Sequence, residues 1–146
     1  MKIQHIHGLP PLYTNTFLIT TDAGHGILID AAAAPETYLD ALKAENATLT
    51  HILLTHGHYD HGRGLPEFLN LNHTAPVYLH KRAGEGHYSV RPGGQTADIG
   101  IDPALLKHPQ VRQTEGVQTL FEGAVLFSDV PGNDLHSPAN DTLLME

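Results

Sequence analysis

Six residues, His56-Gly57-His58-Tyr59-Asp60-His61, constrain this chain more than any other stretch. They follow the apolar run Ile52-Leu53-Leu54, which reads as a buried strand, so four metal-ligating side chains stand where a rigid strand gives way to a loop. If the backbone stays extended there, His56 and His58 are two residues apart, share one face and can reach the same ion. Asp60 and His61 are adjacent and cannot both keep that direction. Gly57 and Gly62 give the backbone freedom to turn, which lets Asp60 and His61 address a second, neighbouring position. Two ions therefore fit the spacing better than one. A surface cluster formed by accident is the competing reading, but even with 12 His in the chain this pattern is expected by chance only roughly 0.005 times. Imidazole and carboxylate together suit zinc best, with iron or manganese as alternatives, and the lack of any cysteine argues against a closed thiolate zinc site.

Thr55-His56-Gly57-His58-Tyr59-Asp60-His61 resembles the signature of the metallo-β-lactamase-fold hydrolases, and Leu28-Ile29-Asp30 resembles the strand-ending aspartate that precedes it in that family. The resemblance implies an α/β (α+β) fold, an αββα sandwich with a mononuclear or dinuclear metal site at one edge. It maps His56 and His58 to the first metal and Asp60 and His61 to the second, with Asp60 also orienting the attacking water. Asp30 maps to a supporting residue that hydrogen-bonds within the metal-binding loop. Up to Gly64, including Pro11 to Phe17, the chain is most similar to the glyoxalase-II-like branch. From Leu65 onward, Gly64-Leu65-Pro66, Tyr78-Leu79-His80 and Thr114-Glu115-Gly116-Val117 look more like the dihydropterin-synthase-like branch.

The order of elements agrees with that expectation. Thr14 to Thr21 and Gly26 to Asp30 read as strands around a turn at Asp22-Ala23-Gly24. Pro35-Glu36-Thr37 opens a helix whose Tyr38, Leu39 and Leu42 recur at helical spacing, ending near Asn46 to Thr48. A short helix over Leu65 to Leu69 and a strand over Pro76 to His80 follow the histidine loop. Lys81 to Gly100 is polar and glycine-rich without a period, and reads as an excursion or lid whose Arg82, His87, Tyr88 and Arg91 are solvated loop residues in the simpler reading and contacts for an anionic substrate in the sharper one. Val111 to Thr114, Val117 to Phe121 and Ala124 to Phe127 read as strands at the edge of the sandwich. His5, His7 and His25 read as solvated surface histidines, and His80 as a strand-terminal histidine without a ligand role.

The resemblance also requires a third histidine for the first metal and a bridging aspartate from the second half of the sandwich. His136, in Val130-Pro131-Gly132-Asn133-Asp134-Leu135-His136, is the nearest candidate, with Asp129 or Asp134 as the bridge, but the arrangement departs from the family's motif. Residues 1–146 are therefore expected to form one domain that is the N-terminal half of a longer hydrolase. Two functions follow. One is a metal-dependent hydrolase acting through a metal-bound hydroxide on an ester, thioester, lactone or phosphoester. The other is a metal-binding half-domain with no catalysis of its own, completed by dimerisation or by a missing C-terminal half.

A net charge of −8, from 8 basic and 16 acidic side chains, disfavours nucleic acid and anionic membrane as partners and leaves a small-molecule substrate. No signal peptide or membrane-spanning run is visible, so a soluble cytoplasmic protein is expected. Half a sandwich leaves one apolar sheet face bare, which implies a homo-oligomer.

Overall fold

The computed structural model describes residues 1–72 and 74–128, and the strand backbone of 130–132 and 143–145. Asp129, Asp134 and His136 lie outside the described residues. The chain order is β1 (Lys2–His7), β2 (Asn15–Thr20), β3 (His25–Ile29), α1 (Pro35–Ala44), β4 (Thr48–Leu53), α2 (Leu65–Leu71), β5 (Val77–His80), β6 (Tyr88–Val90), β7 (Thr96–Asp98), α3 (Pro103–Leu106), β8 (Val111–Thr114), β9 (Val117–Phe121), β10 (Ala124–Phe127), β11 (Val130–Gly132) and β12 (Leu143–Met145).

Six strands form one sheet in the order β1-β2-β3-β4-β5-β8. β1, β2 and β3 pair antiparallel, whereas β3, β4, β5 and β8 run parallel. The C-terminal ends of β1, β3, β4, β5 and β8 consequently all meet one edge of the sheet, together with the N-terminal end of β2. In sheets with parallel strands that edge is where ligands bind.

Alternation decides the two faces. Leu18, Leu28, Ile52, Val77 and Leu79 point to one face, where α1 and α2 cover them with Tyr38, Leu42, Leu65, Phe68 and Leu69. Tyr38 and Phe68 meet edge to face with ring centroids 5.9 Å apart, joining the two helices over the sheet. α1 starts with Pro35 in its first turn and carries Glu36 at its N-terminal end and Lys43 at its C-terminal end, both favourable to the helix dipole. Asn46 at φ 50° ends it.

The opposite face holds Phe17, His25, Ile27, His51 and Tyr78, and Phe121 of β9 lies on it, 5.2 Å from the rings of both His25 and His51. His25 is thus half-buried under an aromatic ring, not solvated as expected, because the β9–β10 hairpin folds back over it. Phe17 remains 37% exposed there. A single sheet with helices on one face is half of an αββα arrangement, and the chain covers part of such a domain.

β8 forms one edge of the large sheet, and among the described residues β9 and β10 pair with each other. One other expectation needs correction: the segment after His80 is not wholly irregular, since it contains the β6–β7 hairpin and buries Ala83. Among the described residues, no helix is long and apolar enough to cross a membrane.

Candidate metal centre

The histidine loop emerges from β4 at the shared edge and is braced from β3. Asp30, the residue after β3, is 4% exposed and sits at φ 57°, in the left-handed region that Asp tolerates better than most residues. This backbone turn aims its carboxylate under the loop. Oδ1 accepts the Thr55 backbone N–H at 2.8 Å, and the Thr55 hydroxyl reaches Oδ2 at 2.9 Å.

That carboxylate sets the state of two histidines. His61 places Nδ1 2.8 Å from Asp30 Oδ2, and a carboxylate only accepts, so Nδ1 carries the proton and Nε2 is left with a lone pair in the neutral ring. His56 Nδ1 lies 3.0 Å from the Thr55 hydroxyl, which is itself engaged by Asp30. Donation along this path, from His56 to Thr55 to Asp30, likewise leaves His56 Nε2 as its lone-pair nitrogen. A ligating histidine held through its other nitrogen by a carboxylate is a recurrent support for metal binding.

The donors stand close together. The rings of His56 and His58 are 4.4 Å apart between centroids, and those of His56 and His61 are 3.9 Å apart. His61 Nε2 is 3.7 Å from Asp60 Oδ2, close to the separation of about 3.4 Å expected for two donors each about 2.1 Å from one tetrahedral ion. Thr14, the residue before β2, hydrogen-bonds the same Asp60 oxygen and so orients it from across the edge. Among the described residues no three donors converge on a single point, so the side chains meet in pairs. The donor chemistry and the His61–Asp60 separation fit a divalent ion.

Electrostatics divide the three histidines. Burial, reinforced by His61 and His58, pushes His56 down to about 4, so it is neutral near pH 7. Burial and the nearby His87 lower His58 in the same way. Burial also works to lower His61, but its hydrogen bond and charge contact with Asp30 outweigh that and raise it.

Gly57 has a different reason from the turning freedom expected of it. It has no positive φ; a Cβ there would lie 2.2 Å from the Ala83 carbonyl oxygen and 2.7 Å from His87 Nε2. Glycine allows the segment after β5 to close on the histidine loop. The contact is fastened by Tyr59 N–H to Ile99 O and Ile101 N–H to Gly57 O, both 2.8 Å. Gly64 serves a second close approach, where a Cβ would lie 2.1 Å from the Ala33 carbonyl oxygen.

Of the four excursion residues, only His87 joins this cluster, with its ring 5.2 Å from that of His58. Arg82 pairs with Glu85 through two of its nitrogens. Tyr88 and Arg91 are exposed on the β6–β7 hairpin or at its turn. His80 is 1% exposed, and its Nδ1 accepts the Arg82 backbone N–H, a local structural use. The sequence carried no periodic signal for His87; a glycine inside the histidine motif, facing a glycine-rich segment, was the available clue.

A family model described as the metallo-beta-lactamase superfamily matches residues 9–141. The chain belongs to that superfamily. Hydroxyacylglutathione hydrolase of Xylella fastidiosa strain M12 is 31% identical over 128 residues, covering 81% of this chain and 48% of the relative. The crystal structure of TTHA1623 in a di-iron-bound form superposes with a TM-score of 0.52 at 29% identity, covering 78% of this chain and 55% of that one. A metallo-beta-lactamase from Staphylococcus aureus subsp. aureus COL superposes with a TM-score of 0.59 at 19% identity, covering 94% and 37%, a likeness of fold. The chain thus spans about half or less of the length of these relatives. This superfamily member has metal-binding kin, and its histidine loop lies at the edge where β3 and β4 end.

Proposed function

We propose that this chain is the metal-holding part of a metal-dependent hydrolase that acts on a carboxylic or phosphoric ester, with thioesters as the first class to test. The carrying observation is the Asp30 brace, which holds His61 directly and His56 through Thr55 so that both present Nε2. A buried carboxylate in a strained backbone position, spent on fixing the nitrogens of two histidines, has little use in a merely structural turn.

His56 and His58 would hold one ion, and Asp60 and His61 a second, zinc being the best match to these donors and iron the next. Such an ion, when bound, activates water and polarises the acyl or phosphoryl oxygen. The chain's own side chains do the rest. Asp60, held by Thr14, takes a fixed direction and can accept a proton from the water it orients. His56, neutral near pH 7, offers its nitrogen without first losing a proton. The thioester class is supported by the hydroxyacylglutathione hydrolase likeness across 81% of the chain.

A second reading, a metal-binding half-domain without turnover, is favoured by the lack, among the described residues, of any three donors that converge on one point. The test is metal content by elemental analysis of the chain and of the double variant His56→Ala, His58→Ala, alongside turnover of a hydroxyacyl thioester of glutathione. Bound metal that disappears in the double variant supports both readings, and chelator-sensitive turnover selects the hydrolase. Equal metal content in the two proteins overturns the site.

A further inference from the structure

The end of the sheet opposite the histidines holds an opening of its own. A cavity of about 590 Å³ lies where β5 and β8 begin, lined by Thr74, Pro76, Tyr78, His108, Gln110 and Arg112. That volume is in the range of small-molecule sites. We propose that it binds a small phosphate, free or as a monoester, and serves as an effector site remote from the histidine loop.

Charge is the first ground. The chain carries 16 acidic against 8 basic side chains, yet none of the described residues that line this cavity is Asp or Glu, and one is Arg. A local positive site on an acidic surface admits a small anion while the whole molecule repels a polyanion such as nucleic acid.

The donors are set in advance. Arg112 is the direct cross-strand partner of Tyr78, so both side chains leave the sheet on the same face. Arg112 Nη1 donates to the carbonyl oxygens of Pro109 at 2.7 Å and Val111 at 2.9 Å. These bonds fix the guanidinium by one nitrogen and leave Nη2 and Nε, the adjacent pair that can grip two oxygens of one phosphate. His108 Nδ1 accepts the Gln110 N–H at 3.3 Å, so in the neutral ring Nε2 carries the proton and is a donor. The Tyr78 hydroxyl is the third donor group. Donors from three residues suit the three terminal oxygens of a phosphate better than the two of a carboxylate.

The walls are fastened as well. Gln110 is 9% exposed, its side-chain amide donates to the Ala75 carbonyl at 2.8 Å, and its own carbonyl accepts the Val77 N–H at 2.9 Å. On the other wall, Asn72 Oδ1 accepts the N–H groups of Thr74 and Ala75. A ligand entering here therefore has little ordering cost to offset. Both β5 and β8 run from this cavity to the histidine edge, so a ligand would sit at their opposite ends, away from the metal-binding side chains.

The test titrates inorganic phosphate into the metal-free chain and follows the NMR signals of the Arg112 Nε–H and the His108 and Tyr78 rings, with acetate as the carboxylate probe. Saturable shifts at all three residues are expected, with acetate at least about tenfold weaker than phosphate. Arg112→Gln should bind phosphate about 10–100-fold more weakly, and Arg112→Lys, which keeps the charge without the fork, should fall between. Tyr78→Phe removes only a hydroxyl and should weaken binding about 2–10-fold, which gives a second reading if Arg112→Gln fails to fold. No saturation by about 20 mM phosphate, or native affinity in these variants, overturns the site. Shifts confined to His56 and His61 place the anion at the histidine loop and overturn it too. Acetate bound as tightly as phosphate overturns the assignment to phosphate. No metal enters the experiment, so its failure and the failure of the hydrolase reading are separate results.

Discussion

The helix-covered face of the sheet and the edge that carries the histidines are built by opposite means. On the face, Leu18, Leu28, Ile52 and Val77 are completely buried against Tyr38 and Phe68, and stability comes from apolar area and close packing. At the edge, half-buried imidazoles crowd one another, Asp30 takes a left-handed backbone, and the order is kept by hydrogen bonds. The first region would be damaged by any loss of volume. The second keeps imidazole lone pairs and a carboxylate partly out of water, and a bound cation would engage them. Folding and chemistry are thus carried by different residues, with Asp30 at the seam between them.

The largest test of that division is Phe68→Ala. Deleting a fully buried ring should cost about 3–5 kcal/mol by denaturant unfolding, while variants that still fold should keep the zinc affinity of the native chain. Strongly altered affinity in a folded Phe68→Ala protein would show that the core and the edge are not separable.

Asp30→Ala should act on both regions at once. It removes the acceptor of Thr55 and His61 and places Ala at φ 57°, for an expected loss of about 2–3 kcal/mol. Metal binding should weaken about 10–100-fold. A variant with native stability and native affinity would mean that the brace is incidental.

Acidification separates the regions more gently. His56 is held down to about 4 in the folded chain, while the unfolded residue titrates near 6.5. Between those values the unfolded state binds more protons, so this residue's contribution is present above pH 6.5 and is lost as the pH falls towards 4. The raised His61 works in the other direction, being most favourable below pH 6.5. His56→Gln in the metal-free chain should therefore flatten the acid loss by about 1–2 kcal/mol, allowing for partial exposure, as read from urea midpoints at pH 7 and pH 4.5. An unchanged slope would remove His56 as its source.

The smallest expected effect is Tyr38→Phe. The Tyr38 hydroxyl receives the Ala33 N–H, and burial pushes the phenol up to about 12. Loss of the acceptor should cost about 1 kcal/mol near neutral pH. Because the unfolded phenol ionises near 10, the native protein loses stability as the pH rises from 10 towards 12, and the variant should lack this phenol's share of that loss. Melting curves at pH 8 and pH 11 provide the comparison.

The sequence made one region more legible than the other. Strands bounded by turns, such as Gly26 to Asp30, and a helix opened by Pro35 follow from local pattern, and so does the order of donors in His56 to His61. The start of β4 was hidden because Leu49 and His51 align with consecutive residues of β3, Gly26 and Ile27, leaving Thr50 as an extra residue that breaks the alternation. His25 looked solvated because Phe121, which covers it, is almost a hundred residues away. His87 read as a loop residue of the excursion, with no tie to the histidine loop, for the same reason: its place depends on main-chain bonds between Ile99 and Tyr59, and no local period records them.

The parallel pairing of β3, β4, β5 and β8 also fixes when the edge can exist during folding. Each parallel neighbour must wait for an intervening crossover, and β5 must pair with β8 across some thirty residues. Non-local pairing of this kind is slow. Asp30 and Thr55 meet only after β3 and β4 have zipped around α1, and His87 arrives later still, after the excursion has closed. A peptide spanning only the histidine loop should therefore bind metal without the selectivity of the folded chain. An ion captured by the nascent loop would have to survive, or be exchanged during, the assembly of its own surroundings.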